Sequence, residues 1–241
     1  MRVILASLCV LSLFQVNAEV RIDYLSNQLV YDSNPRIETV LKGVVKNRDI
    51  FWPAAVLYNR SAVQELGLKQ QCLQMINDLK SETGVKTAKY QALNSLLSQI
   101  DGWNLAHRVP LLIDYDFARV REELNPRVDD GDYLLHLPAR SNQVQVFGAV
   151  PAVLTLNHIG AAPVQSYLEK FERLDYADNE FVYVIKLDGT YERVSTGVHS
   201  MQRVEVPPGG SIYIPLRELP FSSENTILNE MVAELAGSRL P

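Results

Sequence analysis

The stretch Val206-Pro-Pro-Gly-Gly-Ser-Ile-Tyr-Ile-Pro215 joins a tight glycine turn to a short apolar strand that stops at proline. A second copy of the pattern stands at Val128-Asp-Asp-Gly-Asp-Tyr-Leu-Leu-His-Leu-Pro138. In both, a valine lies three residues before a glycine, and an alternating or apolar strand runs on to a proline. Glycine accepts the backbone of a tight turn, and proline, which has no N–H, closes a strand. Two domain endings of one type predict two domains of one type.

Upstream of each copy lies a helix of the same spacing. Asn34 is placed as cap and Pro35 as first helical residue, followed by Ile37, Val40, Leu41 and Val44 on one stripe. Pro163 opens the second, with Val164, Tyr167, Leu168 and Phe171. Pro35 to Gly131 spans 96 residues but Pro163 to Gly209 only 46. The excess nearly matches a helical stretch from about 59 to 104. Leu68, Cys72, Met75, Ile76 and Leu79 share one face there, with Gly84 as a stop, and Tyr90, Leu93, Leu97 and Ile100 mark a second helix ended by Asp101-Gly102. Strand signals fall at 20–25, 55–58, 109–115 and 133–137, then at 144–150, 152–156, 181–187 and 190–194, the last two joined by a two-residue Asp188-Gly189 turn.

This order predicts an α+β fold of two tandem β-grasp domains, in which a small mixed sheet covers one helix. The first, 19–140, carries the helical hairpin insertion and the second spans 141–216. The remainder, 217–241, is a C-terminal amphipathic helix: Ser222 or Ser223 caps it, Gly237 stops it, and Ile227, Leu228, Met231, Val232 and Leu235 form its apolar face opposite Asn229, Glu230 and Glu234.

Arg2 and the apolar run Val3 to Phe14, followed by Val16-Asn17-Ala18, read as a signal peptide cleaved before Glu19. The run is short for a membrane span, so the mature chain of about 220 residues is expected to be soluble and exported, without a transmembrane segment. Cys9 follows Leu8, where lipid attachment wants a small residue. Cys72 is then the lone mature cysteine, best read as a buried small hydrophobe. The net charge of −5 argues against nucleic acid, which needs a concentrated basic face.

No residue pattern reads as catalytic, as a metal site or as a cofactor site. His107, His136, His158 and His199 have no metal-ligand spacing, and the acids at 129–132 fail the alternating calcium-loop pattern. Ser211 lies in a strand start, outside any nucleophile elbow. Three residues are candidate ligand contacts. Arg108, where the helical stretch rejoins the first unit, and Arg127, before the glycine turn, can each hold a carboxylate or phosphate in a fork, and Trp103 can stack on a sugar. The competing account of each arginine is a salt bridge that pins the chain. The C-terminal helix has its own pair of readings, docking on its own domain or on a partner.

Pro35-Arg36-Ile37, Val144-x-Val-x-Gly-Ala-Val150, Asp188-Gly189 and Pro208-Gly-Gly-Ser-Ile-Tyr-Ile-Pro215, behind a signal segment, resemble the GfcC-like capsule and exopolysaccharide family of Gram-negative bacteria. Gly210 stands where that turn often carries an acid, which bears on the turn alone. The second unit also resembles the soluble ligand-binding β-grasp (SLBB-like) domains of Wza-type polysaccharide export proteins. The resemblance implies a non-enzymatic periplasmic accessory protein that binds polysaccharide or outer-membrane export proteins. The alternative is a periplasmic polysaccharide-modifying enzyme with its site in an inter-domain cleft.

Overall fold

The computed structural model describes residues 19–45, 49–197 and 202–241. The signal segment with Cys9, most of the helix-breaking stretch at 47–49, and His199 lie outside the described residues. Among the described residues the fold is α+β: ten strands in two five-stranded sheets, and six α-helices.

In the first half, β1 (Val20–Tyr24) and β2 (Asn27–Tyr31) form a hairpin, followed by α1 (Ile37–Val44), β3 (Val56–Asn59), α2 (Val63–Ser81), α3 (Ala88–Asp101), β4 (His107–Arg108), α4 (Tyr115–Val120) and β5 (Gly131–His136). The second half runs β6 (Gln143–Gly148), β7 (Leu154–Asn157), α5 (Gln165–Leu168), β8 (Phe181–Ile185), β9 (Tyr191–Ser195), β10 (Ser211–Ile214) and α6 (Glu224–Gly237). The sheet orders are β2-β1-β5-β3-β4 and β7-β6-β10-β8-β9, so the two halves share one strand path. In each the closing strand is central. It runs parallel to the first strand and antiparallel to the third.

The repeated motif explains that placement. Val128 and Val206 are buried, and Gly131 and Gly209 both take positive φ, +143° and +93°. Gly131 N donates to Glu19 O at 3.2 Å and Gly209 N to Gln143 O at 2.8 Å, which starts each parallel pairing. The residue before each valine bridges to the helix approach, Arg127 to Arg36 and Glu205 to Pro163.

The halves differ in what covers their sheets. The first sheet rests one face on α1 through Val20, Ile22, Leu57, Tyr133 and Leu135, with α4 and Ile113 beside them. Its other face is lightly covered, by Ala106 and Leu240 against Val56 and Tyr58. The second sheet is enclosed on both faces, and β8 and β10 have no exposed position. An aromatic row, Phe147–Tyr213–Tyr183, crosses three adjacent strands, with ring centroids 5.1 and 5.7 Å apart. Tyr213 meets Asn229 of α6 from this row, and Phe147 meets Trp103. Residues alternate along a strand, so Val182, Val184, Ile212 and Ile214 face the other way.

The helices α2 and α3 fall in the β3–β4 connection, where the corresponding β8–β9 connection is a short turn. They run antiparallel: Lys69 Nζ reaches Asp101 O at 2.7 Å and Lys80 Nζ reaches Asn94 Oδ1 at 2.8 Å. Their apolar faces join the second sheet's core. Cys72, Ile76, Leu93, Leu96 and Ile100 pack into one cluster with Phe147, Leu228 and Val232. Cys72 is fully buried, and burial above all pushes its thiol up to about 12, which keeps it protonated.

Several expectations are corrected. Arg36, and not Asn34, precedes α1, and the helix start is capped from a distant loop, Glu38 N donating to Asn125 Oδ1 at 2.9 Å. Asn34 Nδ2 instead ties to Val128 O and Asp130 Oδ1. The strand expected at 109–115 is two residues, His107–Arg108. Pro110 removes a ladder donor, and Asp114 caps α4 by accepting from Asp116 N and Phe117 N. The edge strand β2 shows no apolar alternation in its sequence and escapes sequence reading. The helix from Pro163 is a single turn that leaves Phe171 beyond it, although Val164 and Tyr167 are fully buried as the stripe requires. The β8–β9 turn has three residues, with Lys186 N to Thr190 O at 2.8 Å, Gly189 N to Lys186 O at 3.1 Å and Gly189 at φ +86°. That is the geometry of a type I turn closed by a glycine bulge.

Candidate functional site

The second face of the first sheet, the β8–β9 turn, the Pro208–Gly210 turn and the tail after α6 enclose a cavity of about 260 Å³. Its floor is built by strand register. Tyr58 on β3 pairs with Arg108 on β4, and His136 lies two positions beyond Leu134 on β5, which pairs with Tyr58 on the other side. The tail closes it. Ala106 N donates to Ser238 O at 3.1 Å and Leu240 N to Asn104 O at 2.9 Å, so the chain after α6 is stitched to the segment leading into β4.

Arg108 spans this junction. Its Nε donates to Gly237 O at 3.3 Å and its Nη2 to Tyr58 OH at 3.3 Å, with the guanidinium 5.4 Å from the Tyr58 ring centre. Arg239, which the sequence pattern does not single out, enters the cavity from the other side. Its guanidinium lies 5.1 Å from the Trp103 ring and 5.2 Å from the Phe147 ring, and its Nη2 donates to Gln145 Oε1. Burial lowers the Arg239 pKa from its ordinary value, a shift partly opposed by Tyr58, yet a guanidinium stays charged at any physiological pH. Burial and then the Arg108 charge hold the His136 pKa below its usual value, so His136 is neutral at pH 7. At Asp188, burial would raise the pKa, but hydrogen bonds from Thr190 and the charge of Arg108 leave it below the usual carboxylate range.

The structure brings Arg108 and Trp103 near one site through Arg239 and leaves Arg127 elsewhere. Arg127 Nη1 donates to Asn34 O at 2.8 Å and so fastens the loop before β5 to the approach of α1. Trp103 is 9% exposed, its ring edge-on to Phe147 and beneath Arg239. Of the C-terminal helix residues, Leu228, Val232 and Leu235 are buried against the second sheet and α2, Met231 is half-buried, and Ile227 is 46% exposed. Asn229, placed on the polar side by its spacing, is fully buried. Its Oδ1 accepts from Tyr213 OH and Leu216 N, both at 2.9 Å, and its Nδ2 donates to Leu216 O at 2.8 Å. The helix therefore docks within its own chain.

Among the described residues no group of three or more His, Cys, Asp and Glu is placed to hold a metal ion, and no helix is long and apolar enough to cross a membrane. His107 forms a separate pair with buried Glu65, Nδ1 to Oε1 at 2.7 Å, joining the start of α2 to β4.

Residues 17–140 match the family model "Capsule biosynthesis GfcC, N-terminal", and residues 154–241 match "Capsule biosynthesis GfcC C-terminal". The chain belongs to the GfcC capsule-biosynthesis family. The interval between the two GfcC matches, 141–153, holds β6 of the second sheet, and the C-terminal match runs from β7 through β10 and α6 to the tail with Arg239. The chain is also similar to a protein of Escherichia coli (strain K12) named "Uncharacterized protein YjbG", with 27% identity over 202 residues, 83% of this chain and 81% of that protein.

Proposed function

We propose that this GfcC-family protein is a non-enzymatic accessory factor of capsule or exopolysaccharide biosynthesis and export. It acts by binding polysaccharide or the outer-membrane export proteins that handle it. The observation that carries this reading is the pair of family matches, which cover residues 17–140 and 154–241. We read the two sheets as tandem β-grasp units, because both mixed sheets share the order 2-1-5-3-4 and each has a helical segment between its second and third strands. On this reading α2 and α3 are a helical hairpin inserted in the first unit, and the second unit is the SLBB-like one. Residues 1–18 act as the export signal, and the protein works in the periplasm. The inter-sheet cavity at Arg108 is its binding site.

The test is an in-frame deletion in the parent organism, complemented with the wild-type chain and with Arg108→Ala. Surface polysaccharide should fall on deletion while its sugar and substituent composition stays the same, and only the wild-type chain should restore the amount in full. Normal surface polysaccharide in the deletion would refute the role. A normal amount lacking one substituent would refute the non-enzymatic reading.

A further inference from the structure

We propose that the inter-sheet cavity is a receptor for one anionic group, a carboxylate or a phosphate, held between Arg108 and Arg239. The chain carries 28 acidic and 23 basic residues, yet the ionisable side chains lining this cavity are Tyr58, Arg108, His136, Lys186 and Arg239, with no aspartate or glutamate, and the one carboxylate on its lining is the main-chain carboxylate of Pro241. Lys186 is already neutralised by Glu192 at 2.8 Å. Neither arginine has a carboxylate within 4 Å among the described residues. The acid whose charge couples to Arg108, Asp188, commits its Oδ1 to Thr190 N and Oγ1 at 2.9 and 2.6 Å.

Two partly buried cations lining one space with no ion pair within 4 Å are an unfavourable arrangement in the empty protein, and an anion relieves it. Both are held ready to do so. Arg108 lies over Tyr58 and is fixed by Gly237 O, and Arg239 is clamped by two aromatic rings and Gln145, so little side-chain freedom is left to lose on binding. Each guanidinium has five N–H donors. Arg108 uses two groups and Arg239 one on protein acceptors, which leaves N–H groups for a two-sided grip on a planar or tetrahedral anion. The volume of about 260 Å³ lies just under the roughly 300–1,000 Å³ typical of small-molecule pockets. It suits one charged group and at most the ring that bears it. The anion preference stands on this geometry alone. That the group belongs to an acidic glycan, and not to free phosphate, rests on the capsule reading.

The test is calorimetric titration of the purified protein at low ionic strength with sodium phosphate, sodium galacturonate, a galacturonate oligomer and, as neutral control, glucose. Phosphate or galacturonate should bind one to one, glucose should not, and affinity should fall at least tenfold in Arg108→Gln and in Arg239→Gln. Galacturonate and its oligomer binding more tightly than phosphate identifies a glycan carboxylate; phosphate alone identifies a phosphate group. Should Arg239→Gln fail to fold, Ala139→Glu serves in its place. Ala139 is exposed at the cavity rim, and its replacement brings in a carboxylate without removing a buried contact. It should abolish anion binding and leave the melting temperature unchanged or raised. The proposal is overturned if the folded wild-type protein binds neither anion, or if folded Arg108→Gln and Ala139→Glu bind as well as wild type. Oligomer binding that is equal in wild type and both variants would overturn the cavity while leaving the glycan-binding role intact. Phosphate binding that the variants abolish, with no oligomer bound, would support the cavity and count against that role.

Discussion

Asn229 shows how far a residue's role can depart from its place in a pattern. Its spacing places it opposite the apolar stripe of α6, yet it lies on the buried face with Asn225, Val232, Ala233 and Ala236 and joins the helix to the aromatic row through Tyr213 and to the chain after β10 through Leu216. Asn229→Leu would leave Leu216 N–H, Leu216 C=O and Tyr213 OH without partners in the interior. At about 1–3 kcal/mol for each buried polar group left unpaired, the expected loss is about 3 kcal/mol or more, read by chemical denaturation. Gly237 behaves in the opposite way to its usual expectation. Gly→Ala in a helix ordinarily gains roughly 0.5–1 kcal/mol. Here a Cβ would collide with Gly189 O and come within 3.2 Å of Gly189 Cα, backbone atoms that do not give way easily. Gly237→Ala should therefore lower stability by about 1–3 kcal/mol, and a gain would contradict the close contact between α6 and the β8–β9 turn. His136 supplies a pH effect of fixed sign. Its folded pKa is lowered by burial and Arg108, so as pH falls below about 6.5 the unfolded chain takes up a proton that the folded protein resists. Stability should decline with falling pH through that window, and His136→Gln should flatten this part of the melting-temperature profile.

At the scale of elements, the layer formed by α2, α3 and α6 belongs physically to the second sheet, although α2 and α3 arise from the first. The core under the first sheet contains no residue of α2 or α3. β3 ends and β4 begins as neighbours, with Asn59 paired to His107, so a two-residue turn can replace 60–106. In that variant, hydrogen exchange should show β1 and β5 still protected and β8 and β10 exchanging faster. Equal loss in both sheets would contradict the assignment of the helices. The periodic segments among these elements were legible in the sequence, because α1, α2, α3 and α6 each bury one stripe. The closing strands were legible for another reason, since a glycine turn and a proline bracket each of them. What escaped was set by distant contacts. The edge strand β2 pairs on one side only, and although Leu29 and Tyr31 pack on the first core, exposed Val30 between them hides the alternation. The helix after Pro163 used its apolar residues for burial without continuing its hydrogen bonds. The strand expected at 109–115 was cut short by Pro110 and the Asp114 cap.

For the whole molecule, the informative residues come from four separate parts of the chain. Tyr58, Arg108, His136 and Arg239 meet because two sheets of one strand path face a shared space, and because the tail after α6 returns to the segment before β4. Arg108 could be suspected from its place at the end of the helical stretch, whereas Arg239 follows a helix with no local motif and becomes visible only in three dimensions. Trp103, read as a sugar platform, instead supports Arg239 from within the core. The cavity depends on both halves, so the proposed anion binding should be lost when either is disturbed. The most direct measurement is nuclear magnetic resonance of the labelled protein during titration with an acidic oligosaccharide. We predict the largest shifts at the Arg108 and Arg239 side-chain Nε–H signals, His136 and the Gly209–Gly210 amides, saturating together; shifts confined to other surfaces, or none at all, would contradict the account.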